Sequence, residues 1–162
     1  MLPYAEAAGV RLHLVGTQDA AESDFVVTGA PTALRRALTA LVDNAIAHSQ
    51  PGDPVRVRLR REPTDGGPST SVHTVCLAVE DDGDGLDAGD ASALTQRFAR
   101  GVAASTGGGR RFGLGLALVD EVVRAHHGQL EITGALGLGS TFTLRLPASR
   151  RGAGESTSAA LP

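Results

Sequence analysis

Three carboxylates and two glycines crowd into Asp81-Asp82-Gly83-Asp84-Gly85, directly after an alternating apolar run. Val75, Leu77 and Val79 share one face of an extended segment, because strand side chains alternate, and Asp81 continues their row. A carboxylate that closes a core-facing row is costly unless a donor reaches it. Gly83 and Gly85 let the chain turn sharply and let a ligand approach closely. Two chemistries fit the segment. Asp81 can accept a hydrogen bond from a buried ligand amine on a pocket floor, or the acidic turn can bind calcium.

Other residues could serve the same site. Asn44 and His48 lie one helical turn apart, so both fall on one edge of any helix that carries them. Their plainer readings are a surface amide and a histidine favoured by a helix C-terminus. Ser140 closes a second core-facing row made by Phe142, Leu144 and Leu146, with the parity that Asp81 has in its own. Gly113 and Gly115 start a helical pattern, where free N–H groups and the helix dipole favour a phosphate; close helix packing is the alternative. Arg97, Arg100, Arg110 and Arg111 sit on a long stretch with weak order signals, about 87–112, read as a lid. Four cations there suit an anionic ligand, or are scattered surface arginines.

The elements that must position these residues are legible in outline. Pro31 opens a helix to about Ser49, with Leu34, Ala37, Leu38, Leu41, Val42, Ala45 and Ile46 as its apolar stripe and Asp43 facing solvent. Gln50-Pro51-Gly52-Asp53-Pro54 stops it. Strands are expected at Arg11–Val15, Phe25–Thr28, Val55–Arg61, Val72–Asp81, around Leu130 and Ile132, and at Thr141–Leu146, with the third and fourth forming a hairpin. Arg56, Arg58 and Arg60 face out of the sheet. A second helix runs to about His127 with Gly128 as its C-cap and Leu114, Ala117, Leu118, Val122 and Ala125 as its stripe. A short helix is expected at Ala91–Arg100. Residues 1–10 read as the stump of an upstream segment, 11–147 as the folded domain and 148–162 as a disordered tail.

Composition bounds the function. A chain of 162 residues with 41% apolar content fits one domain with a real core, and 3% aromatic content makes that core aliphatic. A net charge of −3 argues against bulk nucleic-acid binding. All 15 basic residues are Arg, and without Lys there is no P-loop. The single cysteine, Cys76, reads as strand packing in a reducing compartment. No apolar run is long enough for a membrane helix.

Taken in order, a helix with Asn44, then D-x-G-x-G, then Arg97-Phe98-Ala99-Arg100, then G-L-G-L at Gly113–Leu116, then G-x-G-S ending at Ser140 resemble the N, G1, F, G2 and G3 boxes of sensor histidine kinases. The ATP-binding domain of those kinases belongs to a wider family with gyrase, Hsp90 and MutL ATPases. The resemblance covers about Leu12 to Pro147. It implies a two-layer α/β sandwich: a mixed sheet with about three helices packed on one face. It implies an ATP site in which Asn44 holds Mg²⁺ and His48 lies near the phosphates. Asp81 would accept from the adenine amino group, perhaps with a water that Ser140 supports. Gly83, Gly85 and Leu86 would flank the adenine, Arg97, Phe98 and Arg100 would order the lid, and Gly113, Leu114, Gly115 and Leu116 would cradle the phosphates.

The departures from the pattern are specific. Ala40 stands where hydrolysing relatives carry a Glu general base, so gyrase-like turnover is not expected. Ala47 replaces a basic residue, Arg111 a glycine of the G2 box and Thr95 a phenylalanine of the F box. The expectation is the cytoplasmic, monomeric ATP-binding domain of a two-component kinase. Its phosphoryl acceptor would be a histidine on a separate dimerisation domain, which in turn serves a response regulator. A membrane anchor would lie outside this chain. An anti-sigma-factor-type serine-protein kinase and a non-catalytic nucleotide-sensing module are the alternatives.

Overall fold

The computed structural model describes residues 2–16, 25–63, 73–86, 89 and 114–149. In chain order these form α1 (Leu2–Ala7), β1 (Arg11–Val15), α2 (Pro31–His48), β2 (Pro54–Pro63), β3 (His73–Asp81), α3 (Leu114–Ala125), β4 (Gln129–Gly134) and β5 (Ser140–Pro147). The sheet order is β1-β2-β3-β5-β4, with β1 parallel to β2 and the other pairs antiparallel. This is the mixed sheet with helices against one face that the sequence implies.

The register of the central strands follows from burial. Phe142, Leu144 and Leu146 are buried on β5, facing Val79, Leu77 and Val75 on β3. Fully burying such a side chain contributes about 1.5–3 kcal/mol. A slip of one residue would turn the whole row to solvent. It would also break the Asp81–Ser140 pairing, so the packing of β5 decides the geometry of the site. Val55 and Val57 of β2, and Leu130 and Ile132 of β4, extend the same surface.

α2 buries Ala37, Leu41, Val42, Ala45 and Ile46, the stripe expected, and leaves Asp43 exposed. α3 is rolled relative to its expected stripe. Leu116, Val119, Val122 and Val123 are buried, whereas Ala125 is exposed. The apolar residues of α3 encircle most of the helix, so spacing alone did not choose the face.

α3 ends differently as well. Gly128 N–H donates to the Val123 carbonyl and His127 N–H to the Arg124 carbonyl, the paired bonds of a Schellman turn. The left-handed residue is therefore His127, at φ 57, and not Gly128. Gly128 is required for another reason: a Cβ there would collide with the carbonyl oxygen of Arg145.

One other expectation is corrected. Phe25–Thr28 is not a strand; only Val27 bridges, antiparallel to Ala148. That bridge, with Ser149 N–H donating to the Val26 carbonyl, holds the first two residues of the expected tail against the domain. Within the expected stump, α1 forms a helix whose Ala5 is buried in the core, and Gly52 N–H donates to the Gly9 carbonyl. The Ala91–Arg100 helix and the lid lie outside the described residues.

On the outer sheet face Arg56 pairs with Asp82, Arg58 with Glu80, and Arg60 and Arg145 with Glu62. Cys76 is fully buried between Arg60 and Arg145 in the register. Long arginine stems cover small side chains in this way. The arginine row thus faces out of the sheet, as expected, and forms an ion-paired surface.

Candidate nucleotide site

Asp81 ends β3 and is buried. Its Oδ2 accepts from the Ser140 hydroxyl at 2.5 Å, and its Oδ1 accepts from the Gly83 N–H at 3.1 Å. Burial pushes its carboxyl above the ordinary value; the Ser140 hydroxyl and the N–H groups of Gly83 and Ser140 oppose that rise without cancelling it. Two carboxylate oxygens offer about four lone-pair positions, so these bonds leave capacity for a ligand donor. Ser140 acts on Asp81 directly.

Glycines also let backbone segments meet here. A Cβ on Gly83 would collide with the carbonyl oxygen of His48, and one on Gly139, at φ +81, with the carbonyl oxygen of Asp81. The missing side chains therefore let protein backbone close in. α2 rests its last turn on the Gly83 turn, and the β4–β5 turn rests on the end of β3. Gly137 N–H donates to the Asp84 carbonyl, completing that seam. Gly137 and Gly139 were part of the G-x-G-S pattern but were not named as site residues; their positive φ marks them.

This packing sets His48 near Asp81, with Asn44 one turn earlier on α2. Both are half-buried. Among the described residues the Asn44 side-chain nitrogen is enclosed without a hydrogen-bond partner. A buried, unmatched donor costs about 1–3 kcal/mol unless something satisfies it. It is the one orphaned buried side-chain polar atom among those residues, and it sits on the helix edge that the sequence marks for a ligand.

α3 brings its N-terminus to the same edge. A Cβ on Gly115 would lie 3.9 Å from the Ala40 Cβ, one turn before Asn44. The first turn of α3 thus packs against α2 one turn before Asn44. Leu116 and Leu86 are buried in the core. Leu114 begins α3. Arg97, Phe98, Arg100, Arg110, Arg111 and Gly113 lie outside the described residues.

The calcium reading does not survive the geometry. Asp81 turns inward to Ser140, whereas Asp82 turns outward to Arg56. No cluster of three or more His, Cys, Asp or Glu side chains forms among the described residues.

Comparison with known proteins agrees. Residues 29–150 match the model of the family described as histidine kinase-, DNA gyrase B-, and HSP90-like ATPase. The sensor-like histidine kinase SenX3 of Mycobacterium tuberculosis is 40% identical over 131 residues, covering 79% of this chain and 29% of that protein. The sensor histidine kinase CusS of Escherichia coli is 33% identical over 144 residues, covering 89% of this chain and 27% of that protein. The chain therefore spans under a third of the length of these curated relatives. The mycobacterial sensor histidine kinase MprB superposes with a TM-score of 0.63 at 25% identity, over 93% of this chain and 90% of that one. The catalytic domain of histidine kinase ThkA superposes with a TM-score of 0.66 at 16% identity, over 92% of this chain and 87% of that one.

Proposed function

The chain belongs to the family of histidine kinase-, DNA gyrase B- and HSP90-like ATPases, and from that premise we propose that it positions Mg-ATP for phosphoryl transfer to a histidine on a dimerisation domain outside it. The observation that carries the proposal is the Asp81 carboxylate. It is buried and held by Ser140 and Gly83, and the helix that carries the orphaned Asn44 amide rests its last turn on the Gly83 turn. A purine amine is the donor that would complete Asp81, and phosphate oxygens are the acceptors that would complete the Asn44 amide nitrogen.

Within that reading each side chain has a defined task. Asp81 fixes the base, because its acceptor direction is set by two donors before any ligand arrives. Asn44 offers its amide to the phosphate end, with the carbonyl oxygen as the Mg²⁺ ligand. Mg²⁺, when bound, offsets the charge of the phosphate oxygens. The α3 N-terminus adds backbone donors and a favourable dipole. His48 would border the phosphate path, Gly113 would join the phosphate cradle, and Arg97, Phe98 and Arg100 would be the lid's contribution. Ala40 supplies no base for water, so the geometry favours holding the nucleotide for a partner histidine over hydrolysing it. The partner histidine would pass the phosphoryl group to a response regulator.

The test is calorimetric titration with Mg-ATP, followed by labelled transfer to an added histidine-bearing hairpin. Saturable binding and acid-labile phosphate on the hairpin are expected. Absence of binding overturns the nucleotide reading. Binding with acid-stable phosphoserine on a partner protein would replace it with a serine kinase.

A further inference from the structure

His126 is the C-cap residue of α3, and both of its ring nitrogens are engaged. Nδ1 lies 2.6 Å from the Val122 carbonyl oxygen, and Nε2 lies 2.9 Å from the backbone nitrogen of Ala30. A carbonyl can only accept, so Nδ1 must carry a proton. The Ala30 N–H can only donate, so Nε2 must be bare. One neutral tautomer alone satisfies both bonds. The ring also fills a notch cut for it: a Cβ on Gly29 would collide with its Cδ2.

Ala30 is the N-cap residue of α2, and that helix end has no side-chain cap of its own. In a capping box, a Glu or Gln three residues into the helix reaches back to the N-cap N–H. Here that position is Ala33, which cannot. His126 supplies the acceptor from a different helix. The N-cap is therefore satisfied only while α3 stays in place.

The second contact between these helices explains what the first can control. Gly115 faces Ala40. From Ala30 to Ala40 is ten residues and from Gly115 to His126 eleven, about 15 and 16 Å at the helical rise. The matched spans run the two helices antiparallel, clasped at His126 and touching again at Gly115. Asn44 lies one turn beyond Ala40. Any axial slip of α3 along α2 moves the phosphate-facing N-terminus relative to Asn44.

We infer that His126 is a positioning residue for the nucleotide site: a tautomer-locked clasp that joins the α3 C-terminus to the α2 N-cap and sets the register of the α3 N-terminus on Asn44. This rests on the nucleotide reading only in its last step; the clasp itself does not need a ligand. The groups around the ring are consistent with a hydrogen-bonding role. Gly29, Ala30 and Pro31 bring no ionisable side chain, and on α3 the nearest charges, Arg124 and Asp120, pair with each other.

The experiment uses the whole 162-residue chain. Long-range proton–nitrogen correlation of the ligand-free protein should show His126 as the Nδ1–H tautomer; the Nε2–H form would overturn the clasp whatever the chain binds. His126→Gln retains an acceptor that reaches Ala30, whereas His126→Asn reaches Val122 only. Hydrogen exchange at the Ala30 amide should be slow in wild type and His126→Gln and faster by about fivefold or more in His126→Asn. The Mg-ATP dissociation constant should rise by a similar factor of about five in His126→Asn and stay within about twofold in His126→Gln. Equal affinities with the exchange difference intact would confine His126 to the clasp and overturn its role at the site. Failure of every variant and of wild type to bind Mg-ATP would instead overturn the nucleotide reading.

Discussion

The Ser140 hydroxyl and the Asp81 carboxylate meet at 2.5 Å as direct partners across the β3–β5 ladder. One residue begins its strand and the other ends its own, so the contact depends on the register that the buried rows enforce. Ser140→Ala should remove the donor without disturbing the ladder. A hydrogen bond to a charged group contributes about 1.5–3 kcal/mol, so Mg-ATP affinity should fall by about tenfold or more. The folded-state carboxyl of Asp81 is raised by burial, and its contribution to stability is lost as pH rises through that raised value. Without the hydroxyl the rise is larger. The stability deficit of Ser140→Ala in urea should therefore be greater at pH 8 than at pH 4. Equal deficits would show that the hydroxyl does not act on the charged form.

Asp81→Asn separates binding from stability. The amide is never charged, so the desolvation cost of the buried carboxylate disappears. Its oxygen can still accept from Gly83, and the Ser140 hydroxyl can reverse to accept from its nitrogen. The variant should melt higher than wild type at pH 7, with the gain shrinking in acid as Asp81 itself becomes protonated. Nucleotide affinity should fall by at least about tenfold, because an amide nitrogen then faces the ligand amine. A lower melting temperature at pH 7 would mean that the native carboxylate is net stabilising.

Asn44 leads to a similar separation from the opposite defect. Its amide nitrogen is enclosed without a partner among the described residues. Asn44→Ala removes an unmatched donor worth about 1–3 kcal/mol of cost, against a small loss of packing. Ligand-free stability should be unchanged or higher. Mg-ATP affinity should drop by at least about tenfold, since a charged acceptor loses its donor. Calorimetry and thermal melts of one preparation check both. Unchanged affinity would remove Asn44 from the site.

How much of this was readable beforehand follows from which forces are local. Asp81, Ser140 and the α2 stripe were legible because alternation and helical spacing place side chains without knowing the fold. The α3 face was not, because Leu116, Val119 and Val123 compete with Leu118, and only packing against β4 and β5 decides between them. The work of Gly83 and Gly85 was also hidden. The sequence pattern offers both as clearance for a ligand, and both also admit carbonyl oxygens from residues distant in sequence, His48 and Ala135. The Val27–Ala148 bridge joins segments far apart in the chain, so no local pattern announced it.

The α3 terminus supplies the last test. His127 sits at φ 57, where a Cβ is strained by about 1–2 kcal/mol and glycine is not. Its side chain is exposed, so little packing is lost on removal. Glycine gives back part of the gain through its freer unfolded chain. His127→Gly should therefore stabilise the domain by about 0.5–1 kcal/mol. His127→Val should destabilise it, because β-branching is least tolerated in that region. Urea midpoints at constant m-value decide the matter. If glycine proves destabilising, the His127 ring holds a partner that outweighs its backbone strain, and the Schellman turn is not what ends the helix.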